Sequence, residues 1–323
     1  MTGMLAIVQD RYGVDALALS RVPRPQPRPG RVLVRVRAAG IDAGTHHLVT
    51  GTPRLVRLAA GRRAPRRRTP GLAFAGVVED AGSSGLATGD RVFGTAPGAL
   101  AELVLADPRK LARVPDGLDL ERAAALPVSA VAALEAVRDA ARVRSEQRVL
   151  VLGAAGGVGA YAVQLAAGAG ARVTAVCSGP KTGFARGMGA ERTIDYASEE
   201  PTTLDERWDA IIDTAGNRPL AALRGILAER GTLVIVGGEG GGALLGGIDR
   251  NLRASLAGIG SRQRLRSLVS RGRAADLEHL GSLVRAGRLL VPIESVRPLA
   301  ETAAAVEHVG AGRARGKTVI SLH

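Results

Sequence analysis

The sequence contains little cysteine, few aromatic residues and no long uncharged apolar run. Its 323 residues include one cysteine, Cys177, which excludes an internal disulfide and any structural zinc site built from several thiolates. The longest such run lies around Ala123–Leu134. It is shorter than the ~20 residues of a membrane-spanning helix, so no spanning segment is expected. Met1–Asp10 has no basic start followed by an apolar core, so we expect a cytoplasmic rather than a secreted protein.

Acidic residues are scarce relative to basic ones, with 30 Asp and Glu against 44 Lys and Arg and a net charge of +14. Residues 54–68, here called the arginine block, contain no acid and seven arginines: Arg54, Arg57, Arg62, Arg63, Arg66, Arg67 and Arg68. The block has no aromatic residue on which bases could stack, so nucleic acid is not an expected partner, and neither is a membrane. The sequence favours a solvated loop and, second, a contact for an anionic small-molecule substrate or a carrier-bound acyl group.

Hydrophobic residues make up 46% of the chain, enough for about two domains. The first third has short segments such as Arg31–Ala38, where apolar residues alternate with polar ones, which predicts a small barrel-like β domain. After Leu120, apolar strands alternate with helices, which is typical of a parallel sheet covered on both faces. We therefore predict an α/β protein with a β domain and a doubly wound domain. Leu252–Val269 is predicted to be helical at least in part.

The strongest motif is an apolar strand, Arg148–Leu152, followed by a glycine-rich turn and a predicted helix, Gly157–Gly168. Glycines at 156 and 159 hold the second and third positions of the dinucleotide-binding fingerprint, and Ala154 holds the first. Such a turn lets a pyrophosphate approach the backbone at the positive end of the helix. The alternative is an ordinary tight turn with no ligand.

The end of the second predicted strand, Arg172–Cys177, indicates which dinucleotide binds. A site for NAD usually has an acid there, but this chain has none before Glu191. Ser178 and Lys181 could donate to a 2′-phosphate, which a carboxylate would repel. The sequence therefore favours NADPH, although Lys181 could instead be a solvated loop charge.

Several segments together resemble one known family, the zinc-independent medium-chain dehydrogenase/reductases, in their quinone-oxidoreductase-like branch. The resemblance covers nearly the whole chain. The segments that carry it are Ala154–Gly159, Gln164–Ala166, Gly89–Phe93, Ala124–Pro127, Gly189–Ala190, Ile194–Tyr196 and Arg315–Lys317.

The resemblance implies a GroES-like β-barrel domain at 1–122, completed by 271–323, and a Rossmann domain at 123–270, with the active site in the cleft between them. It implies that Ala155, Gly157 and Val158 contact the pyrophosphate, beside Gly156 and Gly159 of the motif. It also implies that Tyr196 joins Ser178 and Lys181 around the adenosine phosphate, although Tyr196 could be a core aromatic. It implies that Val236 and Gly237 lie near the nicotinamide ribose.

The catalytic residues cannot be transferred from the family in the same way. Relatives commonly have Val-Asn-Pro-x-Asp where this chain has Ile41–Thr45, and an acid in the segment Gly71–Gly76 is replaced by Ala73. The candidates for lining the cleft are Asp42, His46, His47 and Ser129. A histidine could donate a proton, Asp42 could cap a turn, and solvent could supply the proton instead.

A catalytic zinc is not expected, and no residue is predicted to bind a metal. The usual Gly-His-Glu is absent, and the two adjacent histidines, on a strand, would point to opposite faces. We predict an enzyme that transfers a hydride from NADPH to an activated C=C bond of an enone, enoyl or quinone substrate. The alternatives are a metal-free NADP-dependent alcohol/ketone oxidoreductase and an NADPH-binding protein without turnover. By analogy, a homodimer is expected to form through Leu252–Ser261.

Overall fold

The two ends of the chain build one unit and its middle builds another. The computed structural model describes residues 3–237 and 261–322. The first unit contains Met1–Val131 and Arg271–His323, and the second contains Ala132–Ser270. The first boundary falls later than residue 122 because a helix at Leu120–Ala124 packs on strands of the first unit.

The strands of the first unit pair mostly in antiparallel fashion. Its strands are β1 (Gly3–Val8), β2 (Ala18–Pro23), β3 (Val32–Ile41), β4 (Ala73–Asp80), β5 (Arg91–Thr95), β6 (Leu103–Ala106), β7 (Leu111–Arg113), β14 (Ile293–Pro298) and β15 (Lys317–Ser321). β1 and β2 form a hairpin, and the main sheet has the order β14-β15-β3-β4-β5-β7, with β6 also pairing with β3. The last strand, β15, pairs antiparallel with β3, so the C-terminal segment completes the sheet.

The alternation in β3 has the predicted consequence. Val32, Val34 and Val36 are fully buried in an apolar core, whereas Arg35 and Arg37 are only partly buried. The same core includes Phe74 from β4 and surrounding aliphatic side chains. Alternate residues of a strand point to opposite faces, so the three valines share one buried face. On the other face, Leu33 is buried in a second apolar cluster with Met4 and Ala6.

Most of the described helices are short, and the two longest, one in each unit, have 12 residues. They are α1 (Ala43–Thr50), α2 (Val56–Ala60), α3 (Leu120–Ala124), α4 (Ser129–Leu134), α5 (Gly157–Gly168), α6 (Thr182–Gly187), α7 (Leu220–Gly225), α8 (Ala274–Arg285) and α9 (Thr302–Gly310). A π-helical turn at Glu135–Ala141 follows α4. Within residues 3–237 and 261–322, no helix has both the length and the apolar composition that crossing a bilayer requires.

The second unit is a six-stranded parallel sheet. Its strands are β8 (Arg148–Leu152), β9 (Arg172–Cys177), β10 (Arg192–Asp195), β11 (Trp208–Asp213), β12 (Leu227–Ile235) and β13 (Arg264–Ser267). They lie in the order β10-β9-β8-β11-β12-β13, so the strand order reverses between β8 and β11. Counted within this unit, the order is the 3-2-1-4-5-6 of a Rossmann fold, whose ligands bind beyond the carboxyl ends of the strands at that reversal. The predicted doubly wound sheet is therefore present.

One predicted helix is partly wrong. Arg264–Ser267, inside the segment Leu252–Val269, forms the edge strand β13, which pairs in parallel with Thr232–Ile235. Arginine and leucine favour helices in isolation, but here the unpaired backbone groups of β12 supply hydrogen-bond partners that local propensity does not consider. Residues 252–260, which include most of the predicted dimer segment, lie outside the described part of the chain.

Candidate functional site

In the turn after β8, the backbone of the first turn of α5 lies close to the backbone at the end of β8, as the motif predicts. Gly153 has φ of +74°, a conformation that favours glycine. Its neighbour, Ala154, donates its N–H to the Val176 carbonyl of β9 at 3.0 Å. A Cβ atom added to Gly159 would overlap the Gly153 carbonyl oxygen. The third glycine therefore permits the first turn of α5 to lie against the end of β8, which is its role in the dinucleotide fingerprint.

The N-terminus of α5 has its N–H groups available for a ligand. Its N-cap is Gly156, and no side chain caps it. Gly157 and Val158 occupy the first turn and are half-buried, and Ala155 lies in the turn before them. The first N–H groups of a helix have no partner within the helix, and its dipole places positive charge there. Three of the predicted contact residues therefore meet where an anion would be stabilised.

The predicted adenosine-phosphate residues lie around the end of β9. Ser178 begins a 3₁₀ turn at Gly179–Lys181 and accepts a hydrogen bond from the Lys181 N–H at 2.9 Å through its carbonyl. The side chains of Ser178 and Lys181 are half-buried, whereas Tyr196 is 54% exposed. That exposure argues against a core role for Tyr196. Its backbone N–H donates to the Cys177 carbonyl, which fixes it beside the other two.

A carboxylate that the sequence analysis did not single out lies in the same place. Asp195 ends β10 and pairs with Cys177 in the parallel register. A Cβ atom added to Gly179 would be 2.5 Å from the Asp195 Oδ2 atom, so the two residues touch. Burial raises the pKa of the Cys177 thiol, the charge of Asp195 raises it further, and the charge of Lys181 lowers it. Asp195 is part of the motif Ile194–Tyr196, but only the pairing of β10 with β9 shows that its carboxylate lies beside the end of β9.

The predicted nicotinamide-side residues follow β12. Val236 and Gly237 both direct their N–H groups to the Asp213 carbonyl, at 2.9 and 3.4 Å. A Cβ atom at Gly237 would be 2.7 Å from the Thr214 carbonyl oxygen. The Thr214 hydroxyl donates to the Leu152 carbonyl at 2.7 Å and so links the ends of β8 and β11 at the strand-order reversal. No motif in the sequence indicates Thr214.

These observations fit a bound dinucleotide. The glycine cradle would be filled by a Cβ atom, the N–H groups of the first turn of α5 are uncapped, and the surrounding residues lie at the carboxyl ends of neighbouring parallel strands. The residues that would hold the coenzyme are Ala155, Gly156, Gly157, Val158, Gly159, Ser178, Lys181, Tyr196, Val236 and Gly237.

In the first unit, Asp42 caps a helix. Its Oδ1 atom accepts a hydrogen bond from the Thr45 N–H at 2.9 Å, which satisfies one of the unpaired donors at the start of α1. The side chain is only 6% exposed, and its Oδ2 atom is buried without a hydrogen-bond partner. A buried carboxylate oxygen without a partner is costly, so a nearby positive charge is expected.

Lys317 supplies that charge. It is 1% exposed and donates from its Nζ to the Ile41 carbonyl at 2.8 Å and to the Ser129 Oγ at 2.9 Å. Burial lowers the pKa of Lys317, and the charge of Asp42 opposes that lowering. Two predicted catalytic residues, Asp42 and Ser129, therefore lie in one buried cluster around a lysine that the sequence analysis noticed only as part of a family signature.

The two histidines lie on α1, so the strand geometry that counted against them as a ligand pair does not apply to them. The Asp42 cap starts the helix, and successive helical residues are about 100° apart rather than on opposite faces. His46 packs against Gly310 of α9, and burial together with the charge of His47 lowers the pKa of His46. The His47 Nδ1 atom lies 2.7 Å from the Thr52 carbonyl oxygen. In the part of the chain that the structure describes, neither imidazole ring forms a hydrogen bond with Asp42.

The comparisons with known proteins identify the family. The GroES-like domain of alcohol dehydrogenases matches residues 28–116, and the zinc-binding dehydrogenase family matches residues 188–320. A quinone oxidoreductase of Pseudomonas aeruginosa is 30% identical over 95% of this chain and 96% of its own length. The quinone oxidoreductase structure from Coxiella burnetii is 27% identical, covers 100% of both chains and has a TM-score of 0.87. The mycobacterial protein Rv1454c, solved with NADPH, is 26% identical over 99% of this chain and 100% of its own, with a TM-score of 0.83.

The chain therefore belongs to the medium-chain dehydrogenase/reductase superfamily and is quinone-oxidoreductase-like. This confirms the predicted GroES-like and Rossmann domains. It also makes the protein an oxidoreductase of this type that uses a nicotinamide coenzyme.

One matching family is described as zinc-binding, which raises the question of whether residues 3–237 and 261–322 supply the ligands that a catalytic zinc requires. Zinc in such sites takes three protein ligands, usually from cysteine, histidine and carboxylates. No three of these side chains come close enough together to hold a metal in residues 3–237 and 261–322. Cys177 is buried at the end of β9, and the Asp42 carboxylate is used by the helix cap and the buried lysine.

Proposed function

We propose that this chain is a zinc-free NADPH-dependent reductase that transfers a hydride to the activated C=C bond of an enone, enoyl or quinone substrate. The observation that carries the proposal is the glycine-rich turn at Gly153–Gly159, placed at the strand-order reversal, with Ser178 and Lys181 at the end of the next strand. The likeness to a quinone oxidoreductase of Pseudomonas aeruginosa and to an NADPH-bound mycobacterial protein supports it.

The coenzyme, when bound, supplies the hydride, so the work of the protein is to bind and orient. The α5 N-terminus would hold the pyrophosphate, Ser178 and Lys181 would donate to the 2′-phosphate, and Val236 and Gly237 would lie near the nicotinamide ribose. Holding the donor and acceptor carbons about 3–3.5 Å apart provides much of the rate enhancement.

The lowered pKa of His46 makes its imidazole mostly neutral at pH 7 and therefore a weak general acid. Ser129 accepts a hydrogen bond from Lys317, which leaves its hydroxyl proton as a possible donor, but Ser129 is only 1% exposed. We therefore propose that water delivers the proton that completes the reduction.

The test is NADPH oxidation by the purified protein with a panel of quinones, enones and ketones, followed at 340 nm, the absorbance band of the reduced coenzyme. Turnover of quinones or enones without ketone reduction supports the proposal. Turnover confined to ketones would favour the alcohol/ketone alternative. NADPH binding without oxidation by any acceptor would favour a non-catalytic protein. Retention of activity after dialysis against a chelator separates a zinc-free enzyme from a zinc-dependent one.

We also propose that the substrate is anionic, on the basis of the arginine block. Arg62, Arg63, Arg67 and Arg68 are exposed, and none forms an ion pair with another described residue. Arg57 differs, because its guanidinium stacks on Tyr12 at 4.5 Å.

If these arginines attract the substrate, raising the ionic strength is expected to increase KM for a carboxylated acceptor while leaving kcat unchanged, because salt screens exposed charges. The measurement is KM at low and high salt for a carboxylated acceptor and its methyl ester, the uncharged control. Equal salt dependence for both acceptors would contradict an anionic substrate.

A further inference from the structure

We propose that Asp195 limits the preference of this protein for NADPH over NADH, by placing a negative charge beside the site of the 2′-phosphate. The inference rests on the proposed function only in taking the end of β9 as the adenosine end of the coenzyme site. Dinucleotide specificity is usually judged from an acid at the end of the second strand, and β9 ends without one. Asp195 lies instead at the end of the third strand, β10.

The position of Asp195 is fixed by three contacts. Its strand pairs with β9 so that Asp195 lies opposite Cys177, the residue before Ser178. Its Oδ1 atom accepts a hydrogen bond from the Ala197 N–H at 3.0 Å, which orients the carboxylate. Its Oδ2 atom lies against Gly179, where any side chain would come within 2.5 Å of it. The carboxylate therefore lies directly under the turn that carries Ser178 and Lys181.

The opposite charges of Asp195 and Lys181 both act at the end of β9. Both are close enough to Cys177 to shift the pKa of its thiol, Asp195 upward and Lys181 downward. A phosphate bound between Ser178 and Lys181 would be attracted by the ammonium and repelled by the half-buried carboxylate. A ribose 2′-hydroxyl has no charge to repel and can donate a hydrogen bond to a carboxylate. Asp195 therefore selects against NADPH while Lys181 selects for it.

The test is the variant Asp195→Asn, which retains an oxygen that can accept from the Ala197 N–H and removes the negative charge. The dissociation constants of NADPH and NADH are measured by calorimetry, so that the readout does not depend on turnover. We expect NADPH to bind about five- to tenfold more tightly to the variant, the size expected for two charges several ångströms apart in a partly solvated site. NADH is expected to bind with unchanged or weaker affinity.

Two further variants make the result specific. Glu229→Gln removes the same charge from an exposed residue in the first part of β12, where Glu229 pairs with Arg262, and is expected to change neither affinity. Lys181→Ala is expected to weaken NADPH binding with little effect on NADH. Unchanged selectivity in Asp195→Asn, or equal changes for both coenzymes, would overturn the role of Asp195 and leave the proposed function intact. Failure of the wild-type protein to bind either coenzyme would overturn both.

Discussion

Replacing Lys317 with alanine is expected to lower the free energy of unfolding by about 3–5 kcal/mol, the usual cost of removing one partner from a buried charged network. Lys317 is buried, and its Nζ donates to Ile41 and Ser129. The substitution would leave a cavity and remove the hydrogen bonds to Ile41 and Ser129. It would also remove the positive charge that interacts with Asp42, whose Oδ2 atom is buried without a hydrogen-bond partner. The measurement is equilibrium unfolding by urea, followed by circular dichroism.

Two matched variants separate charge from packing. Lys317→Met keeps most of the volume and removes the charge, so it should lose less stability than Lys317→Ala, by the cost of the cavity. Ser129→Ala removes one acceptor and keeps the lysine, and we expect a loss of about 1 kcal/mol. If Lys317→Ala loses less stability than Ser129→Ala, the idea that Lys317 and its hydrogen bonds stabilise the folded protein is contradicted.

The same lysine predicts a pH dependence with a definite sign. Its folded-state pKa is lowered from the ordinary value of 10.5 because burial disfavours the charge. Between the lowered folded-state pKa and 10.5 the unfolded chain binds the proton and the native chain does not, so the free energy of unfolding rises with pH. The wild-type protein should therefore gain stability relative to Lys317→Met as the pH is raised within that range. Parallel pH profiles for the two proteins would contradict a lowered pKa.

The elements that local patterns specify could be predicted from the sequence. The bounds of β8, α5 and β9 are those expected from their apolar runs and glycines, since a buried parallel strand and the turn after it leave a strong local signal. α1 leaves a weak one, because Ala43–Thr50 contains glycine, two histidines and β-branched residues. It is stabilised by the Asp42 cap and by packing against α9, and only the second of these requires the folded chain.

Two residues that no local pattern indicates, Lys317 and Asp195, are positioned by pairing between distant segments. Lys317 and Ile41 are 276 residues apart in the chain and meet because β15 pairs with β3. Asp195 reaches the predicted phosphate site only because β10 lies next to β9. Neither position has a periodicity or spacing that indicates its partner. By contrast, the glycine turn is continuous in sequence, so its residues could be named in advance.

Because that turn is so closely packed, the substitution Gly159→Ala is expected to weaken NADPH binding by at least about tenfold, or about 1.4 kcal/mol. The new methyl group would overlap the Gly153 carbonyl oxygen and lie 2.8 Å from the Ala154 Cα atom, so α5 must move away from the end of β8. That displacement moves the N–H groups of the first helical turn out of position for the pyrophosphate. A loss of about 1–3 kcal/mol in folding stability should accompany it, as for other overpacked sites.

The matched control is Gly168→Ala at the other end of α5, where an added Cβ atom meets nothing within 4 Å. Alanine is the better helix former, so this variant should bind NADPH normally and unfold at the same or slightly higher urea concentration, with a gain of up to about 1 kcal/mol. Calorimetry and urea unfolding on both variants give the comparison. Equal NADPH affinity in the two would mean that close contact between α5 and β8 is not needed for coenzyme binding. Loss of affinity only in Gly159→Ala, with the protein still folded, would show that the α5 N-terminus binds the coenzyme through its position relative to the strand.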